Sequence, residues 1–249
     1  MTESENAWRW PRAWLGIANR CARLCESAGG RDRHSEAIPS DPRTFRCPHF
    51  DCTIVVMQPL AHLPAIHFEY PSWVADEVNW QRPYGSDIDR MRLAIAISRA
   101  NVVQRTGGPF GAAIFESESG KLVSVGMNSV VRLNNCTLHG EMVAFMMAQQ
   151  RVASFTLNAA GLPSHDLYTS CEPCAMCLGA TLWSGVRRVV YGAAREDASL
   201  LNFEEGPVFP ESYAYLEQRG ISIVRHVLRD EARAVLELYR QTGGQVYNG

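Results

Sequence analysis

No apolar run in this chain approaches the roughly 20 residues that a membrane-crossing helix needs, so no spanning segment is expected. No secretory leader is expected either. An organelle transit peptide should be poor in acids, yet Glu3, Glu5, Glu26, Asp32 and Glu36 all stand near the start. The chain has no basic excess either. Its 24 Lys and Arg face 26 Asp and Glu, for a formal net charge of −2. Bulk attraction to nucleic acid is therefore not expected, which favours a small-molecule substrate. Internal repeats and low-complexity tracts are absent. What remains is an ordinary soluble composition, 46% hydrophobic and 20% charged. Its 249 residues suit one domain with an extension, or two small domains. Eight cysteines without a leader point to a reducing compartment, hence a cytoplasmic protein.

Some of those cysteines are spaced like metal ligands. Cys174 and Cys177 form a C-x-x-C pair after Pro173, and His139 offers a third ligand upstream. Three protein ligands leave a fourth position on Zn2+ open, as in a catalytic rather than a structural site. Glu141, two residues past His139, sits close to such a metal without binding it. There it can carry protons to and from a water on the ion. A structural site would need a fourth ligand, and Cys171 is the obvious candidate. However, Cys171 precedes a Glu-Pro turn that opens a helix, which directs it away. H-x-E followed by P-C-x-x-C is the signature of zinc nucleobase deaminases, and both halves are here in order.

The elements around the motif alternate. Ser86 caps a helix in a Ser-Asp-Ile-Asp capping box, with Ile88, Met91, Ile95 and Val102 on one apolar face. Thr106-Gly107-Gly108-Pro109 ends it. Strands are expected over Phe110–Glu116 and Leu122–Val131, then a helix over Leu138–Val152 with His139 and Glu141 in its first turn. A strand over Asp166–Thr169 leads into a helix over Cys174–Trp183, which starts just after Pro173. Arg188–Gly192 and Ile221–Val227 read as strands, Glu211–Arg219 and Arg229–Gln241 as helices. The order αββαβαβαβα predicts a layered α/β domain. Two helix N-termini aimed at one point would help to hold thiolates at Cys174 and Cys177.

Residues 1–70 read differently. Trp8, Trp10 and Trp14 lie among scattered arginines, and a polar run follows from Ser27 to Arg46. No periodic pattern persists there long enough for a core element. Cys21, Cys25, Cys47, His49 and Cys52 raise the idea of a small zinc module, which nothing else in the segment supports. This region is expected to be poorly structured or non-native, with Met57 as an alternative start; the domain proper spans 71–249.

From Pro71 onward the chain resembles the cytidine-deaminase-like superfamily, through His139-Gly140-Glu141 and Pro173-Cys174-Ala175-Met176-Cys177. Within it the chain is similar to bacterial guanine deaminases. That narrower likeness rests on Leu167 to Ala180, Gly107 to Gly111, Met127 to Val130, Asn202 to Pro207 and Gly244 to Asn248. The resemblance implies a three-layer α/β/α fold with a central five-stranded mixed sheet and helices on both faces. It implies zinc at His139, Cys174 and Cys177, with Glu141 as proton shuttle. It places Phe110, Asn128 and Trp183 near a purine, and puts Asp197 or Glu205 where a carboxylate reads guanine. Gly140 departs from the family's usual Ala and leaves slightly more room beside the ligand helix. Tyr247, beyond the hinge at Gly243 and Gly244, would close the site, by this likeness that of a neighbouring subunit in a domain-swapped homodimer.

Other functions compete. A transfer-RNA adenosine deaminase would call for a basic surface, and Arg187-Arg188 is the only adjacent basic pair near the core. Cytidine or cytosine deamination would leave the downstream acidic segment without a role. Another purine, guanosine or a triazine fits the same motif. A catalytically dead zinc protein would have no use for Glu141.

Overall fold

The computed structural model describes residues 44–46, 53–55 and 65–247. The chain divides into two units, Met1–His67 and Phe68–Gly249. In the first, β1 (Thr44–Arg46) and β2 (Thr53–Val55) form an antiparallel ladder with Thr44 opposite Val55. That ladder was not foreseen from the sequence. The expectations for Trp8 to Trp14, for Cys21, Cys25, Cys47, His49 and Cys52, and for Met57 lie outside the described residues.

The second unit runs α1 (Val74–Glu77), α2 (Asp87–Val103), β3 (Gly111–Glu116), β4 (Leu122–Met127), α3 (Val130–Leu133), α4 (Gly140–Val152), β5 (His165–Cys171), α5 (Ala175–Ser184), β6 (Arg188–Ala193), α6 (Arg195–Ser199), α7 (Pro210–Gln218), β7 (Ser222–Val224) and α8 (Arg229–Gln241). Its five strands are ordered β4-β3-β5-β6-β7. β3 is antiparallel to both β4 and β5, whereas β5, β6 and β7 are parallel, so the sheet is mixed as expected.

Period-two alternation sorts the strand residues into two cores. Ala113, Phe115, Tyr168 and Val190 pack with Met91, Ala94 and Ile97 of α2 and with Val235 and Leu236 of α8. Ala112, Ile114, Leu167 and Val189 pack on the other face with Ala144, Phe145 and Ala148 of α4, Leu178 of α5 and Leu216 of α7. The strands are therefore apolar on both faces, as a sheet covered twice requires. Burying a Phe115 or an Ile114 there contributes about 1.5–3 kcal/mol each. α4 lies so close on β4 that a Cβ on Gly126 would come within 2.0 Å of the Gly140 carbonyl. Only glycine permits that approach, and it sets the height of the ligand helix above the sheet.

Some local expectations are corrected. Ser86 caps α2 by accepting from Asp89 N at 3.1 Å, but the Asp89 side chain pairs with Arg82 instead of closing a capping box. Ile88 sits in the first turn and is exposed, while Met91, Ile95 and Val102 are buried. The strand expected over Leu122–Val131 stops at Met127. There Asn128 Oδ1 accepts from Val130 N and Ser129 N–H donates to the Leu138 carbonyl, which turns the chain into α3. β-propensity at Val130 and Val131 loses to that side-chain turn.

Candidate zinc-dependent active site

His139 is the N-cap of α4 and Cys174 the N-cap of α5. Glu141 and Cys177 occupy the first turns that follow. Two helix N-termini thus converge, each with backbone N–H groups that have no partner within their own helix and a partial positive charge. The ligating atoms of His139, Cys174 and Cys177 all lie within 4.8 Å of one another. Cys171 stays out of the group, as its place before the Glu-Pro turn predicts; its buried Sγ faces the Ala194 carbonyl at 3.7 Å.

The donor set fits zinc. Tetrahedral bonds of about 2.3 Å to sulfur and about 2.0 Å to nitrogen put those two ligands roughly 3.5 Å apart. Cys174 Sγ and His139 Nδ1 are 3.5 Å apart. The charges agree. A hydrogen bond from Cys177, reinforced by His139 and outweighing burial, holds Cys174 down at about 4. The same shared proton, with burial, pushes Cys177 well up. Burial lowers His139, but the Cys174 bond and the Cys174, Glu141 and Glu205 charges outweigh it and raise the imidazole overall. Burial, and then the Cys174 and Glu141 charges, push Glu205 up to about 8. This surplus of negative charge is what a cation would balance.

Glu141 is buried and accepts from Thr169 Oγ1 at 3.0 Å. Burial and the Cys174 charge raise its carboxyl. Around it the pocket wall is Phe110, His139, Glu141, Glu172, Cys174, Phe203, Glu204, Glu205 and Tyr247. Phe203 was missed from the sequence. It meets Phe110 edge-on with centroids 5.0 Å apart and Tyr247 at 5.2 Å. Only its place two residues before Glu205 could have flagged it. Glu205 is pinned through its carbonyl, which accepts from Ala175 N at the start of α5 at 2.9 Å.

The other residues singled out in the sequence fall elsewhere. Asn128 is buried next to the wall residue Phe110: its N–H donates to the Phe110 carbonyl, and its Nδ2 is buried without a partner among the described residues. Gly140 is close to the site, but a methyl there would meet the Phe110 carbonyl at 3.2 Å rather than enlarge or fill the pocket. Asp197 is away from the wall, taken up by Arg229 and by Ala194 N at the start of α6. Trp183, 80% exposed, lines a separate groove with Leu182 and Tyr215. Tyr247 reaches the pocket of its own chain. Gly243 at φ 69° and the close packing of Gly244 on the Tyr239 ring turn the tail back toward it.

A mixed sheet that presents two ligand-bearing helix N-termini and a buried glutamate defines a zinc-dependent deaminase. The cytidine and deoxycytidylate deaminase zinc-binding region matches residues 85–193. Guanine deaminase of Bacillus subtilis is 34% identical over 140 residues, covering 56% of this chain and 85% of that protein. The solved structure of guanine deaminase from Nitrosomonas europaea is 38% identical with a TM-score of 0.69, covering 73% of this chain and all of that one. The tRNA-specific adenosine deaminase of Buchnera aphidicola is 29% identical, covering 61% and 93%. The chain belongs to the cytidine and deoxycytidylate deaminase family.

Proposed function

We propose that this chain hydrolyses guanine to xanthine and ammonia. The observation that carries the reading is Glu205 in one wall with Glu141, His139 and Cys174. Guanine offers donors at N1 and the 2-amino group, so a carboxylate acceptor is the matching type. Its O6 and N7 are acceptors, and the unpaired Asn128 Nδ2 and Tyr247 Oη are donors of the right kind. Phe110 and Phe203 supply apolar faces for the ring. The similarity to two guanine deaminases supports the same choice.

His139, Cys174 and Cys177 would hold the zinc, which when bound acts as a Lewis acid and makes hydroxide available near pH 7. Glu141 takes the proton of the attacking water and hands it to a ring nitrogen as the C2–O bond forms. The same carboxylate then takes the proton of the new C2 hydroxyl and delivers it to the departing amine as the C2–N bond breaks and the C2 carbonyl forms, so one group serves as base and acid in turn. Tyr247 and Phe203 exclude bulk water, which strengthens the polar contacts inside.

We place this activity in the unit Phe68–Gly249 and infer a reducing, cytoplasmic setting, consistent with Cys136, Cys171, Cys174 and Cys177 as free thiols. We also infer a homodimer, since Trp183 and Leu182 leave apolar surface for a second copy. The likeness to a tRNA-specific adenosine deaminase gives a second reading. A net charge of −2 and a tail over the pocket weigh against an RNA substrate. Ammonia release from guanine, guanosine, adenine, cytosine, cytidine and tRNA separates these readings. Guanine should give the highest catalytic efficiency; a preference for any other substrate would replace the assignment.

A further inference from the structure

We infer that Thr169 is a positioning residue for the proton-carrying carboxylate: it fixes one oxygen of Glu141 and thereby selects the other to face the substrate. This rests on the deaminase reading above. Thr169 lies within β5, opposite Ala112 of β3 on one side and Tyr191 of β6 on the other. Strand alternation puts it on the same face as Leu167, the face that carries α4. Its side chain is fully buried and β-branched, so its rotamer is stiff. Its hydroxyl therefore points from a rigid base at Glu141 Oε1, 3.0 Å away.

Glu141 itself is less constrained. It sits in the first turn of α4 with a long, flexible side chain; its own backbone N–H and the Cys177 thiol also approach the carboxylate from the ligand helices, and Thr169 is the donor that reaches it from the sheet. A shuttle that takes a proton from water and returns it to the leaving amine must keep one oxygen in the same place through both transfers. Holding Oε1 from the strand leaves Oε2 as that oxygen. Packing alone would be met by valine, which has the shape of threonine without the donor. The hydroxyl is needed only if the carboxylate must be held.

The test compares zinc-loaded Thr169→Val, Thr169→Ser and Thr169→Ala with the wild type. Loss of a hydrogen bond to a charged group should lower kcat in Thr169→Val by roughly 10- to 100-fold, with KM changed less than about 2-fold. Zinc content should not change. Thr169→Ser keeps the donor and should recover most of kcat, and Thr169→Ala should not. Crystal structures should show the Glu141 carboxylate rotated in the Val and Ala variants and in place in the Ser variant. The inference is overturned if Glu141 keeps its position and kcat its value in Thr169→Val. It is equally overturned if Ser and Ala lose kcat alike; this second comparison stands even where Thr169→Val does not fold. The crystallographic arm needs no turnover. A wild type that deaminates cytosine and not guanine removes the guanine assignment while the Thr169 comparison proceeds on cytosine.

Discussion

Tyr247 fills the space that a side chain on Gly108 would take: a Cβ there would come within 2.1 Å of the Tyr247 hydroxyl. The loop that follows α2 and the last residues of the chain are thus fitted to each other over the active site. Tyr239 Oη also donates to the Gln245 carbonyl at 2.6 Å and holds the approach to Tyr247. About 40 Å³ of open space remains in the pocket, room for a few waters at most.

Gly108→Ala should therefore unseat Tyr247, because the clash is with the far end of a terminal side chain rather than with the core. Catalytic efficiency on guanine should fall at least about 10-fold, in line with a misplaced closing group, while zinc content and thermal midpoint stay unchanged. Deleting Gly244–Gly249 should have the same signature. Steady-state kinetics beside metal analysis checks both, and unchanged efficiency in the two variants would reduce the tail to a loose end.

Glu141→Ala should retain zinc and lose turnover by at least about 100-fold, the low end for a positioned acid–base group. Zinc is expected to remain because the ligand atoms come from His139, Cys174 and Cys177 alone. Near wild-type turnover would exclude Glu141 as the shuttle.

Chelation should abolish activity without unfolding the domain. The ligands lie at the tips of α4 and α5, whereas the two cores are built from apolar residues between sheet and helices. Far-ultraviolet circular dichroism should hardly change on metal removal, and added zinc should restore turnover. Loss of helical signal on chelation would mean that the metal is part of the fold.

Asp87 ties α2 to β6 through Arg188 and accepts from Tyr168 Oη at 2.6 Å. The Arg188 bond, outweighing burial, holds its carboxyl below the ordinary value. A depressed carboxyl stabilises the fold above its unfolded pKa of about 3.9, and that contribution fades as pH falls through the lower folded value. Since the pair is partly exposed, the contribution is about 1 kcal/mol at most. In urea unfolding, Asp87→Asn should be less stable than the wild type by a constant margin above pH 5. The two should converge as pH falls through the depressed folded value, whereas a margin that persists in strong acid would assign the loss to packing.

The catalytic centre was legible because its chemistry is local in sequence. His139 and Glu141 share one helix start, and Cys174 and Cys177 share another, so spacing alone places them. The helices over Asp87–Val103 and Arg229–Gln241 follow from periodicity, the layered α/β domain from the order of elements, and the mixed sheet from the family resemblance. Long-range contacts decided the rest. Asp197, in α6, and Glu205, in the loop after it, are both acids that follow β6, and the Arg229 side chain from α8, with Ala194 N, takes Asp197 out of the site. Trp183 looked like a pocket residue but lies in the last turn of α5, exposed and away from the pocket wall. Thr169 looked like any strand residue until β5 and α4 were stacked.

The account stands or falls on guanine hydrolysis at C2. The most direct measurement is the mass of the xanthine formed by the zinc-loaded protein in ¹⁸O-labelled water. The account predicts xanthine with one labelled oxygen, one ammonia for each guanine consumed, and formation of both slowed at least about 100-fold with Glu141→Ala. Intact guanine after exhaustive incubation, or xanthine without the label, would contradict it.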